Sequence, residues 1–294
     1  MNKIKKNPAE VFANSLGSPK SAKTTTKVID YLCNIHSETD SKTLEWALFD
    51  YTELLKLRKK LIDKNLKATS INSYVSTIKS VCREAWRLNI ITTDTYMRIN
   101  DIKNIKGKSA PTGKALSVDE LKTAINFKSG NNKDIRDSAI IAIGYGAGLR
   151  AFELAKINMQ DIIGNMITII GKGRIERPVY LPLFAMKKLT KWVSIRGKEK
   201  GALFRAIQKG GEILKRGIAT RTIGDLIDKR CVNVNIERFT PHDLRRSFAT
   251  NLLSSGVDVF LVQKLMRHSN VNTTKIYDKR GEYEAQKAVE LLPF

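Results

Sequence analysis

With 294 residues, 42% of them apolar, the chain can bury a core, yet no stretch is long enough to span a membrane; the longest candidate, Ser138 to Leu149, is short and broken by glycine. The 52 lysines and arginines against 29 acidic residues leave a formal charge of +23 spread along the whole sequence, so a polyanionic partner is expected, nucleic acid rather than a membrane surface. Cys33, Cys82 and Cys231 lie far apart without CxxC spacing, which indicates neither a disulfide framework nor a zinc site and fits a reducing cytoplasm.

Residues 1–20 read as a basic amino-terminal arm, because Met1 to Asn7 carry lysines but no apolar signal core follows. From 21 to 107 the pattern is helical throughout. Val28, Leu32 and Ile35 mark one helix, Leu48 to Ile62 a second, and Ser70 to Leu88 a third with Ile71, Val75, Ile78 and Cys82 inward. The polar faces carry Lys56, Arg58, Lys59, Lys60, Lys64, Lys67, Lys79, Arg83 and Arg87, a distribution suited to phosphate contact. Residues 108–116, rich in lysine and small residues around Pro111 and Gly113, read as a linker.

A second domain, 117–294, begins where Ser117 and Glu120 form a capping-box pattern ahead of Leu121, Ala124 and Ile125. Ile135 to Tyr145 predicts an apolar helix broken by Gly144, Gly146 and Gly148. That break puts Arg150 at a helix start, where free amides favour an anion, with Glu153 one turn on. From Met159 to Leu181 the period changes to three short antiparallel strands turning at Gly164-Asn165 and at Gly171-Lys172-Gly173. Helices follow at Leu183 to Ile195 and Ala219 to Asn233, separated by a basic segment, Gly197 to Gly217, that reads as a surface loop. Thr240 as N-cap, Pro241 at the first position and Asp243 one turn in announce another helix, with Leu244, Phe248 and Leu252 inward and His242 and Arg245 at its edge, facing a cleft. Asp258 caps the next helix, which ends near His268. Glu282 to Leu292 reads as an amphipathic docking helix.

Each of these polar residues has an ordinary structural explanation when taken singly. Together, Arg150 with Glu153, Lys172 in a Gly-Lys-Gly turn, His242-Asp-Leu-Arg245, and His268 nine residues before Tyr277 form a set that resembles the tyrosine site-specific recombinases, including phage integrases and the Cre-like and Xer-like enzymes. The resemblance spans roughly residues 21–294. It implies a mainly α fold with a small antiparallel β-sheet, in which a helical core-binding domain precedes an α+β catalytic domain. By resemblance, Arg150 and Arg245 grip the scissile phosphate, Glu153 holds Arg150, Lys172 protonates the leaving 5′-oxygen, His242 accepts the nucleophile's proton, and His268 donates to a phosphate oxygen. Tyr277, close to the end of the chain, is the expected mobile nucleophile that forms a 3′-phosphotyrosyl link. No metal, ATP or other cofactor is implied; the expected partners are a double-stranded recombination site and three further subunits, as a homotetramer on two duplexes or a heterotetramer with a related recombinase.

Two features depart from or complicate that pattern. Arg267 stands where the family commonly has glycine before the last histidine; in a left-handed conformation it would cost about 1 to 2 kcal/mol. Arg246 rivals Arg245, but lies about 100° further round the helix and is expected to address backbone or solvent. Two other readings share much of the chemistry: a type IB topoisomerase that cuts and reseals one strand, and a DNA-binding factor that keeps the fold without catalysis. The helical first domain and the segment after Tyr277 favour the recombinase.

Overall fold

The computed structural model describes residues 6–107, 113–127, 130–170, 176–267 and 277. The chain divides into two compact units, Met1–Thr112 and Gly113–Phe294. No helix among the described residues is long and apolar enough to cross a membrane.

The first unit is helical: α1 (Pro8–Asn14), α2 (Pro19–Ser37), α3 (Tyr51–Asp63), α4 (Ala68–Arg87) and α5 (Thr93–Asp101), with a 3-10 turn at Trp46–Leu48. Most starts are written into the sequence. Asn7, Ser18, Asp50 and Thr92 each accept a backbone N–H of the first turn, and prolines at 8 and 19 occupy positions that need no donor. Leu32, Leu54, Leu57, Leu61, Ile78 and Val81 meet in a closed core. The segment read as a basic arm thus contains α1 and the start of α2, with Ala9 and Ala13 buried; four apolar residues over two turns give too short a period to register in sequence. Lys79, placed in the phosphate-facing set, instead donates to the carbonyls of Asn100 and Ile102 at the end of α5. Lys60 and Arg58 likewise reach the carbonyls of His36 and Lys103.

The second unit runs α6 (Val118–Asn126), α7 (Asn132–Gly146), α8 (Ala151–Lys156), β1 (Ile162–Ile163), β2 (Met166–Ile170), β3 (Glu176–Tyr180), α9 (Leu183–Arg196), β4 (Arg205–Ile207), β5 (Ile213–Gly217), α10 (Thr220–Asn233), α11 (Pro241–Ser254) and α12 (Val259–Met266). Helix α7 is central and packs against α6, α9, α10 and α11. The three-stranded antiparallel sheet has the order β1-β2-β3, with Ile167 opposite Val179 and Ile170 opposite Glu176.

Three local expectations change. Helix α7 continues through Gly144 and Gly146, which are glycines because a side chain there would crowd Leu154 and Pro182; only Gly148, at φ +57°, makes the break. The inward face of α11 is Leu244, Ser247, Ala249 and Leu253, while Phe248 and Leu252 are half-buried. The segment from 197 to 217, read as a loop, contains the β4–β5 hairpin. Its strands are too short and polar to alternate visibly. What organises the approach to them is buried Arg196, whose guanidinium donates to the carbonyls of Gly197, Glu199, Gly201 and Ala202.

Candidate active site

The site assembles around the break after α7. Gly148 turns the chain, and a Cβ there would lie 2.6 Å from the Phe248 ring of α11, so the turn and that helix are fitted to each other. Arg150 follows as the N-cap of α8. Its backbone N–H donates to Glu153 Oε2 at 2.8 Å and its Nη1 to Glu153 Oε1 at 3.0 Å, while its side chain stays 49% exposed. Arg150 is thus held by one end and presented to solvent at the other. Burial pushes the Glu153 carboxyl up, but the charges of Arg267, Arg150 and Arg245 and the Arg150 N–H outweigh it and leave it below the usual carboxylate range.

Helix α11 starts as the sequence predicts. Thr240 Oγ1 accepts from the Asp243 N–H, and Asp243 Oδ2 accepts in return from the Thr240 N–H at 2.8 Å. The incoming segment is laced to the same helix: Lys114 N–H donates to Asp243 Oδ1, Leu116 N–H to Ser247 Oγ, and Arg246 Nη1 to the Gly113 carbonyl. Arg246 therefore addresses backbone, as its angular position predicts.

Arg245 is only 1% exposed. Its Nη1 donates to the Gly148 carbonyl and its Nη2 to the Met266 carbonyl, so one guanidinium ties α11 to the α7–α8 turn and to the end of α12. Burial, reinforced by the positive charges of Arg150 and Arg267, brings it down to about 9, which still leaves it a cation at neutral pH. His242, one turn earlier and open to solvent on one side, is held below the ordinary histidine value by partial burial and by the charges of Arg246 and Arg245. It is neutral at pH 7 and able to accept a proton.

Tyr277 is packed rather than dangling. Its side chain is 6% exposed among Ala249, Leu253, Val262 and Met266, with the Arg246 guanidinium 5.5 Å from its ring centroid. It also lies near enough to Arg245 to influence that guanidinium. Arg150, Glu153, His242, Arg245 and Tyr277 are therefore gathered in one region from the start of α8, from α11 and from a position well beyond the end of α12. Lys172 and His268 lie outside the described residues.

From the sequence alone, Arg267 is expected only to carry a conformational cost. It does adopt the left-handed conformation, φ 56°, ψ 42°, closing α12. Its side chain then turns into the site, where Nη2 donates to Glu153 Oε2 at 3.1 Å and to the Gly148 carbonyl at 3.3 Å. The one signal in the sequence was the choice itself, an arginine where glycine costs nothing.

Residues 114–282, more than half of the chain, match the model of the phage integrase family. Tyrosine recombinase XerC of Vibrio atlanticus is 30% identical over 247 residues, covering 79% of this chain and 74% of that protein. Among solved structures, the Tn1549 transposon integrase in complex with a circular intermediate DNA superposes with a TM-score of 0.76 at 15% identity, covering 98% of this chain and 99% of the other. A lambda integrase tetramer bound to a Holliday junction gives 0.67 at 17% identity, covering 93% and 76%.

Proposed function

The chain belongs to the phage integrase family of tyrosine recombinases, and on that premise we propose that it is a site-specific DNA recombinase that cuts and rejoins strands through a 3′-phosphotyrosyl intermediate. The observation that carries this reading is the gathering of Arg150, bonded to Glu153, and Arg245, bonded to the Gly148 carbonyl, beside a packed Tyr277 and a neutral His242. Two planar forks, both cationic at neutral pH, suit the non-bridging oxygens of a phosphodiester and the charge that builds on them in the transition state.

In the proposed cycle the Tyr277 oxygen attacks phosphorus, its proton passing to His242, while the bond to the 5′-oxygen breaks and that oxygen takes a proton from Lys172. His268 donates to a phosphate oxygen. The product is a phosphotyrosyl diester and a free 5′-hydroxyl, so one diester is exchanged for another and religation needs no external energy. A 5′-hydroxyl from a second duplex reverses the step, which turns cleavage into strand exchange. The lambda integrase tetramer supports four copies acting on two duplexes, and the basic helical first unit supports a clamp on the site's backbone.

The test is to select a bound site from a random duplex pool, nick it near the cleavage position, and look for a covalent protein–DNA adduct; a selected site that never yields one overturns the reading. Two further outcomes are expected. Binding falls steeply with salt, by about 10³-fold or more between 50 and 200 mM for six or more phosphate contacts, and a flat titration contradicts a backbone clamp. The cleavage rate holds to pH values below the ordinary histidine value and falls as pH drops through the lowered His242 value, because protonation removes the acceptor. His242→Gln loses about 100-fold and that acid limb with it; a limb unchanged in the variant assigns the proton elsewhere.

A further inference from the structure

Arg267 occupies a backbone conformation that disfavours every residue with a Cβ, so what keeps an arginine there is its side chain. That side chain is bonded to the two acceptors that already organise the site. Glu153 is shared between Arg150, through Oε1, and Arg267, through Oε2; the Gly148 carbonyl is shared between Arg245 and Arg267. Three guanidinium cations thereby surround one carboxylate, and Arg177 on β3 stands near enough to add to the positive excess.

A fastener would need no more than that. Yet the Arg267 side chain is only 9% exposed, and its Nε and Nη1, both buried, meet no acceptor among the described residues. Buried N–H donors are nearly always paired, and donors on a cation are the costliest to leave bare. The acceptor that fits a planar charged fork in a positive pocket is an anionic oxygen, and a phosphodiester brings two.

We propose that Arg267 is a third guanidinium of the phosphate pocket: Nη2 fixes Glu153, and Nε and Nη1 donate to a non-bridging oxygen of the scissile phosphodiester. This rests on the phosphoryl-transfer reading above and deepens it. Arg267 is then a catalytic residue, stabilising charge on phosphorus, and the shared carboxylate makes its placement and that of Arg150 interdependent.

The experiment compares cleavage of two nicked duplexes of the selected site, one with an ordinary scissile phosphodiester and one with a neutral methylphosphonate there. Arg267→Gly accepts the left-handed backbone without strain, so the variant loses the guanidinium and its bonds to Glu153 and the Gly148 carbonyl but keeps the turn. On the phosphodiester it is expected to cleave about 100-fold slower than the wild type; on the methylphosphonate, which has less charge to stabilise, less than about threefold slower. Arg267→Lys keeps a charge without the fork and falls between. Should Arg267→Gly melt early, the two-substrate ratio of Arg267→Lys decides. An equal loss on both substrates marks Arg267 as structural, and no loss on the phosphodiester marks it as idle; either overturns the inference while leaving the wild-type adduct, and so the function, intact. A wild type that forms no adduct overturns both.

Discussion

Tyr277→Phe forms no covalent adduct with a nicked duplex, a loss of more than about 10⁴-fold, while its binding to the same duplex stays within about twofold. The substitution removes one oxygen and leaves the ring. Because that ring is packed among Ala249, Leu253, Val262 and Met266, phenylalanine keeps α11 and α12 joined and the variant remains folded, at a cost of about 1 kcal/mol for losing one hydroxyl. Tyr277→Ala is the instructive contrast: it empties a buried site and is expected to cost about 3 to 5 kcal/mol, so its inactivity would say nothing about nucleophilicity. The readout follows from the chemistry. A 3′-phosphotyrosyl link holds the upstream strand, so a label at the 5′ end of the cut strand shifts to the protein on a denaturing gel. A shifted band in the phenylalanine variant would assign the nucleophile to another residue.

What the sequence made legible is what depends on neighbours in sequence. Thr240 with Asp243 and Ser117 with Glu120 are capping pairs three residues apart, and each forms as read. Arg150 with Glu153 is the same kind of local pair, and the antiparallel strands around Gly164-Asn165 follow from a change of period. The family resemblance supplied roles that spacing could not. Lost to the sequence were the bonds whose partners lie far apart. The Gly148 carbonyl receives Arg245 from 97 residues away and Arg267 from 119, and no periodicity encodes either. The same holds for Lys79 closing α5. Gly144 and Gly146 looked like helix breakers because their packing partners, Leu154 and Pro182, are visible only once the helices are assembled. Arg245 itself was placed at a cleft edge from its angle on α11, whereas packing makes it one of the most deeply buried large side chains in the unit.

That burial sets the second large effect. Arg245→Ala strips the Met266 carbonyl of its donor, leaves the Gly148 carbonyl only the longer bond from Arg267 and removes a buried cation beside Glu153, so destabilisation of about 3 to 5 kcal/mol is expected, read as a lowered melting midpoint. Cleavage falls by more than about 10³-fold in whatever fraction remains folded, since a charge aimed at the transition state is gone. Arg245→Lys separates the two losses. An ammonium keeps the cation but cannot span both carbonyls as a planar fork does, so melting recovers in part while cleavage stays down by about 100-fold or more. The pH dependence of stability gives an independent check. Against burial, Arg267, Arg150 and Arg245 hold Glu153 below its unfolded value, so its contribution is present above that unfolded value and lost as pH falls through the folded one. Without the Arg245 charge the folded value rises, and acid destabilisation of the alanine variant begins at higher pH than in the wild type. Parallel acid-unfolding curves for the two would mean that Arg245 and Glu153 do not share the electrostatic unit inferred from their common neighbours.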